Sequence, residues 1–134
     1  MTFNKKIIIQ FFKLWLPVII WCGVIYFFSD QPYLKSGLAS EFDLFFRKLA
    51  HIAEYAILTV LLFRAYFKSN GLARKEAIAF AIIFSLTYAF TDEYHQTFVL
   101  GREGCLKDVV VDSLGIFAAG LFFLRNKKKQ KLHF

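Results

Sequence analysis

Two apolar runs with a charged segment between them decide the fold of this chain. Residues 77–90 read AIAFAIIFSLTYAF, residues 91–112 read TDEYHQTFVLGREGCLKDVVVD, and residues 109–124 read VVVDSLGIFAAGLFFL. The middle segment holds five carboxylates, two basic side chains and one histidine, whereas the flanking runs are almost free of charge. This pattern predicts two apolar helices whose connection gathers charged groups at one end.

The composition indicates a membrane protein. Of the 134 residues, 57% are hydrophobic and 19% are aromatic. A domain of this size buries only part of its chain, so a bilayer is the natural solvent for the remainder. The net charge of +7 would suggest nucleic acid in a soluble protein, but in membrane proteins Lys and Arg set topology instead. Cys22 and Cys105 have neither a metal-ligand spacing nor a disulfide pattern.

Four segments are long enough to cross a bilayer, which needs about 20 residues for each. We predict one all-α domain over residues 1–134, a bundle of four transmembrane helices. The predicted spans are residues 7–28, 46–67, 75–92 and 108–124, and residues 125–134 form a basic cytoplasmic tail. The first span is too long and too aromatic for a signal peptide, so we expect it to be retained. A capping box at Ser40–Asp43 predicts a helix start ahead of the second span.

Basic residues predict the orientation of these spans. The side of the membrane with both termini and the connection between the second and third spans carries twelve Lys and Arg. The opposite side carries five. Positive charge stays on the cytoplasmic side, so both termini should be cytoplasmic in a multi-pass protein of the bacterial cell membrane. All acidic residues except Glu76 then fall on the outer side.

Helical periodicity groups the outer polar residues on inward faces. Three sets share a face: Arg47, Lys48, His51, Glu54 and Tyr55 on the second span; Asp92, Glu93 and Gln96 on the third; and Asp108, Asp112, Gly115 and Ala119 on the fourth. Small residues on the last face allow another helix to approach closely. Ionisable groups inside a membrane are costly and indicate function by default. Ion pairs that only fix the packing are the alternative, and Glu103, Lys107 and His95 are the expected bystanders.

Three stretches of the chain resemble the VanZ-like family of small bacterial membrane proteins. They are FFSDQP at 27–32, RKLAHIAEY at 47–55 and TDEYHQTFVLGREGCLKDVVVDSLG at 91–115. Many relatives carry Pro where this chain has Leu100, and Asn where it has Asp112. The resemblance implies a polytopic membrane protein, and the name-giving member is associated with low-level resistance to teicoplanin. No reaction is settled for the family.

The first functional hypothesis is a binding or modifying protein of the outer leaflet. Its ligand would be an amphiphilic or lipid-linked envelope component, with Arg102 as the anchor for an anionic group. The expected ligand-binding residues are Lys48, Tyr55, Asp92, Gln96, Phe98, Arg102 and Asp112, with Tyr55 and Phe98 lining the pocket. The expected partners are membrane lipids and this ligand, without nucleic acid. The oligomeric state stays open, and a homo-oligomer is one of the alternatives.

The second hypothesis is a membrane-embedded enzyme acting on a lipid-linked substrate. The candidate catalytic residues are His51, Glu93 and Asp108, with His51 as general base and a carboxylate such as Glu93 or Asp108 orienting it. We assign no metal site and no cofactor. Within this alternative, however, Asp92, Glu93 and Asp108 could hold a divalent cation, and His51 with Glu54 could ligate zinc. No known nucleophile motif supports catalysis.

A purely structural or assembly role is the third hypothesis. In that case the site acids should tolerate neutral isosteres, whereas Gly115→Leu should fail because it fills the small face of the fourth span. Transport is disfavoured, since four short spans are few and no inverted repeat is visible.

Overall fold

The computed structural model of the protein describes residues 5–32, 40–69 and 71–126. They form four α-helices: α1 (Lys5–Ser29), α2 (Ser40–Ser69), α3 (Arg74–Gln96) and α4 (Leu106–Arg125). No strand occurs in these ranges, so the predicted all-α class is confirmed. Lys35, the side chain of Ser40 in the capping box, and residues 127–134 of the basic tail lie outside the described residues.

The helices extend beyond the predicted spans. α2 begins at Ser40, and α3 continues through Gln96 to a C-cap at Thr97. These extensions keep the polar residues at 92–96 and 41–48 on regular helices. Their side chains are therefore held on defined faces of the bundle.

Contacts between the helices show that chain neighbours run antiparallel. Trp15 in the first half of α1 donates to Ser69 at the end of α2, and Arg74 at the start of α3 donates to the carbonyl oxygen of Phe123 near the end of α4. α2 and α4 run parallel and make the most extensive contact in the described chain. The bundle therefore has up-down-up-down order.

Glycine at position 115 allows α2 and α4 to touch backbone to backbone. A Cβ at Gly115 would overlap the carbonyl oxygen of Ile52 and would lie 3.1 Å from the amide nitrogen of Ala56. Small residues that permit such an approach are typical of helix contacts in membranes. The small face predicted for α4 therefore packs on α2, and it also brings Asp112, one turn earlier, against that helix.

Buried hydroxyl groups connect the helices across the interior. Thr59 of α2 donates to Ser85 of α3 over 2.9 Å, and the Tyr88 hydroxyl donates to the carbonyl oxygen of Cys22 over 2.7 Å. Polar groups away from water are costly unless they are hydrogen-bonded. These bonds satisfy the groups and align the three helices.

The outer surface of the bundle is apolar on every helix. Large exposed hydrophobic side chains include Ile19 on α1, Val60 on α2, Ile83 on α3 and Leu121 on α4. In the described part of the chain, two helices are long and apolar enough to cross a membrane: Lys5–Ser29 and Glu41–Ser69. Membrane passage of α3 and α4 remains a prediction.

The two ends of the bundle differ in charge. One end carries Lys5, Lys68, Arg74 and Arg125, close to the termini and to the connection between α2 and α3. The opposite end, here called the polar pole, comprises the first part of α2, the end of α3, the start of α4 and the residues 97–105 between them. The polar pole contains the candidate site.

Candidate functional site

A cavity of about 620 Å³ opens at the polar pole. Its lining comes from α2, α3, α4 and the connection between α3 and α4. The polar and charged lining residues are Arg47, Lys48, His51, Glu93, Gln96, Arg102, Glu103, Lys107, Asp108 and Asp112. Leu44 and Val111 add apolar surface. Its volume is in the range of small-molecule sites, which span about 300–1,000 Å³.

Two residue pairs face each other across the contact between α2 and α4, because the residues have the same spacing on both helices. Lys48 and His51 stand about one turn apart on α2, and Asp108 and Asp112 stand one turn apart on α4. The Lys48 ammonium lies 3.5 Å from the Asp108 carboxylate, and His51 Nδ1 lies 3.5 Å from Asp112 Oδ1. The outer pair, Lys48 with Asp108, is partly exposed, and the inner pair, His51 with Asp112, is more deeply buried.

A buried hydrogen-bond network lies beside the cavity. The Tyr55 hydroxyl donates to Asp92 Oδ2 over 3.2 Å, and Gln96 Nε2 donates to the same oxygen over 3.4 Å. Gln96 also donates to the hydroxyl of Ser29 over 3.0 Å. The network ties α1, α2 and α3 together, and Asp92 faces this interior rather than the cavity lining.

The connection between α3 and α4 holds Glu93 in place. The backbone amide of Cys105 donates to Glu93 Oε2 over 3.1 Å. This contact depends on Gly104, where a Cβ would overlap the carbonyl oxygen of Glu93. Glu93 is 4% exposed, so the carboxylate is fixed and almost completely removed from solvent.

Arg102 joins the same connection to the end of α1. Its guanidinium donates to the carbonyl oxygens of Phe28 over 2.9 Å and Gln31 over 3.3 Å. Burial lowers the pKa of Arg102, as does Arg47, while the carboxylates of Asp92 and Glu93 oppose the shift. Arginine stays charged in proteins. Arg102 also lines a second cavity of about 230 Å³ next to His51 and Glu54.

The structure separates the residues proposed from sequence into three groups. Lys48, His51, Glu93, Gln96, Arg102, Asp108 and Asp112 line the cavity. Tyr55 and Asp92 are buried behind it. The structure places Phe98 elsewhere, because its side chain is 71% exposed and its ring contacts Tyr94.

Several residues have roles at the polar pole that sequence reasoning did not assign. Arg47 lines both cavities and pairs with Asp43 over 3.4 Å. Its position one turn before His51 on α2 is the sequence feature that could have indicated this role. His95, an expected bystander, lies 3.0 Å from the Asp30 carboxylate. Lys107, which was expected to face solvent as a bystander, is exposed and also lines the cavity.

The fold and the polar pole define a small helical membrane protein with a charged site at one end. The VanZ/LLP1 family profile matches residues 14–126, and the chain belongs to this family. It is 31% identical over 117 residues to a protein of Bacillus subtilis (strain 168) named "Uncharacterized membrane protein YwnJ". The match covers 82% of this chain and 76% of that protein. No solved structure matches the chain.

Proposed function

We propose that this VanZ/LLP1 protein binds an anionic amphiphilic or lipid-linked component of the cell envelope, with the headgroup in the cavity at the polar pole. The observation that carries the proposal is the combination of basic side chains in one cavity. Arg47, Lys48, Arg102 and Lys107 all line it. Guanidinium and ammonium groups are the usual protein partners of phosphate and carboxylate.

Apolar surface next to the cavity supports an amphiphile rather than a water-soluble anion. Leu44 lines the cavity, and Phe45 and Phe46 follow it on α2 as exposed side chains. Val110 and Leu114 are exposed on the neighbouring α4. A ligand with its headgroup in the cavity could therefore lay its hydrocarbon chain along these helices.

We further propose that all four helices cross the membrane, with the polar pole outside and both termini in the cytoplasm. The distribution of Lys and Arg between the two ends supports this orientation. Cys105 is exposed at the polar pole, so it provides a direct test. A membrane-impermeant maleimide should label intact cells that make the wild type, and the Cys105→Ser variant should lose this labelling. Labelling only after cell lysis would reverse the orientation.

The binding proposal is tested with Lys107→Gln in purified protein. Lys107 is exposed and lines the cavity, and one basic residue near a lipid surface contributes about 1 kcal/mol to the binding of anionic lipid. We expect a roughly fivefold lower affinity for short-chain phosphatidylglycerol by calorimetry. Lys75→Gln removes the same charge at the other end of the bundle and is the matched control. Equal affinities in both variants, or equal binding of phosphatidylcholine, would contradict the proposal.

The phenotype proposed for this chain is lowered susceptibility to teicoplanin-type glycopeptides. A sensitive host should gain protection from the wild type and from Lys75→Gln, and less from Lys107→Gln, at equal amounts in the membrane. Equal protection by all three proteins would show that the phenotype does not depend on the cavity. Absence of protection by any of them would show that this member does not act on teicoplanin.

An enzyme acting on a lipid-linked substrate is the second candidate. It is favoured by His51, whose Nδ1 lies 3.5 Å from Asp112 Oδ1 in the cavity. A histidine beside a carboxylate can serve as a general base. His51→Gln should then abolish protection while lipid binding is retained, and lipid extracts of cells with the wild type should contain a modified species. Loss of binding in His51→Gln would favour simple binding instead.

A further inference from the structure

Three helices each contribute one potential metal ligand to the inner part of the cavity. His51 comes from α2, Glu93 from α3 and Asp112 from α4, and all three line the cavity. One ligand atom of each residue lies within 4.8 Å of the corresponding atoms of the other two. The close packing of α4 on α2 at Gly115 brings Asp112 beside His51, and the Cys105 amide holds Glu93.

The surroundings of Asp112 favour a bound cation. Asp112 is 1% exposed, and within the described chain neither of its carboxylate oxygens has a hydrogen-bond partner. Its neighbour His51 Nδ1 lies 3.5 Å away and is also without a hydrogen bond there. A buried carboxylate without a partner is strongly unfavourable. A positive group between these atoms would remove that cost.

Three of the four basic side chains that line the cavity make their nearest polar contacts with groups other than Asp112. Lys48 pairs with Asp108 over 3.5 Å. Arg102 donates to the carbonyl oxygens at the end of α1, and Arg47 Nε lies 3.4 Å from Asp43. None of these interactions neutralises Asp112.

We propose that His51, Glu93 and Asp112 bind a divalent transition-metal cation such as Zn²⁺. One imidazole and two carboxylates are a donor set that suits these metals, and three protein ligands leave a position open toward the cavity. The bond from the Cys105 amide to Glu93 supplies the kind of outer contact that orients a ligating carboxylate. Ligands at about 2 Å from one ion lie at most about 4 Å apart, so binding includes small rotations of these side chains.

The metal site goes beyond the proposed lipid binding and does not depend on it. Its test uses the full chain in neutral detergent, purified through a tag without histidine and stripped with a chelator. Zn²⁺ alone is titrated in competition with a chromophoric chelator, and Co²⁺ absorption reports the coordination. We expect one ion per chain in the wild type, and at least tenfold weaker binding in Asp112→Asn and in His51→Gln.

Two matched variants separate ligands from other residues at the polar pole. Glu41→Gln changes an exposed acid in the first turn of α2 that does not line the cavity, and His95→Gln changes the histidine that faces Asp30. Both should bind Zn²⁺ as the wild type does. Metal-free Asp112→Asn should be at least as stable as the metal-free wild type, because it removes an unpartnered buried charge, so weaker binding by this variant will not reflect unfolding.

Two results would overturn the metal site. One is a wild type that binds no stoichiometric Zn²⁺ or Co²⁺, and the other is equal weakening by the matched variants. Either result would leave the affinity for phosphatidylglycerol, measured without metal, as a separate question.

Discussion

The contact between α2 and α4 can be tested by adding a single methyl group. In Gly115→Ala the new Cβ would overlap the carbonyl oxygen of Ile52 and would lie 2.9 Å from the Ile52 carbonyl carbon and 3.1 Å from the amide nitrogen of Ala56. These are backbone atoms of a helix, so no side-chain rotation can make room. α4 must move away from α2.

The expected change in the free energy of unfolding follows from two opposing effects. Forcing an extra carbon into a packed interior costs about 1–3 kcal/mol. Alanine also favours a helix over glycine by about 1 kcal/mol, which hides part of the cost. Gly23 of α1 provides the matched control, because a Cβ there meets no atom within 4 Å in the described residues. The stability difference between Gly115→Ala and Gly23→Ala should therefore be about 1–3 kcal/mol.

Unfolding in mixed micelles measures this difference. Helical circular dichroism is followed as the fraction of sodium dodecyl sulfate rises, and the free energies of unfolding of both variants are compared. Gly115→Ala should unfold first. Equal stability of the two variants would refute the backbone contact, and with it the position of Asp112 beside His51.

Three further predictions concern polar contacts. Tyr55→Phe removes the hydroxyl that donates to buried Asp92 and should lower the free energy of unfolding by about 1–3 kcal/mol in the same titration; wild-type stability would contradict this bond. Thr59→Val removes a hydrogen bond from α2 to α3 and should cost about 0.6 kcal/mol, the average for such bonds in a membrane protein; a gain in stability would contradict it. Arg102→Lys keeps the charge but loses the fork that reaches two carbonyl oxygens at the end of α1. The amides of residues 28–31 should then exchange for deuterium faster, and unchanged exchange would show that the fork is not needed.

The sequence alone was sufficient for the number and type of the elements. Apolar runs of helical length are local features, and a helix forms from local hydrogen bonds. The same periodicity placed Asp108, Asp112 and Gly115 on one inward face of α4. The sequence also predicted that nine of the ten acids and most of the basic residues separate to opposite ends of the bundle, because the charge pattern follows directly from chain order.

Pairing between helices was less accessible from the sequence. The sequence suggested a carboxylate such as Glu93 or Asp108 beside His51. In the structure Glu93 lies in the same group of side chains as His51, Asp112 lies 3.5 Å from His51 Nδ1, and Asp108 faces Lys48. Periodicity determines the face on which a residue lies, and it leaves open how far one helix slides along another. Phe98 was also expected to line the pocket, and the structure places its exposed ring against Tyr94. The path of residues 97–105 depends on contacts with α1 and α3, which periodicity does not describe.

The sequence by itself thus determined the helices, their inward faces and the membrane class of this VanZ/LLP1 protein. Tertiary structure alone decided that His51, Glu93 and Asp112 meet. For His51 and Asp112 the physical reason is the depth at which Gly115 allows α4 to pack against Ile52 of α2. That depth depends on the shapes of both helix surfaces together, and the sequence of neither helix alone specifies it.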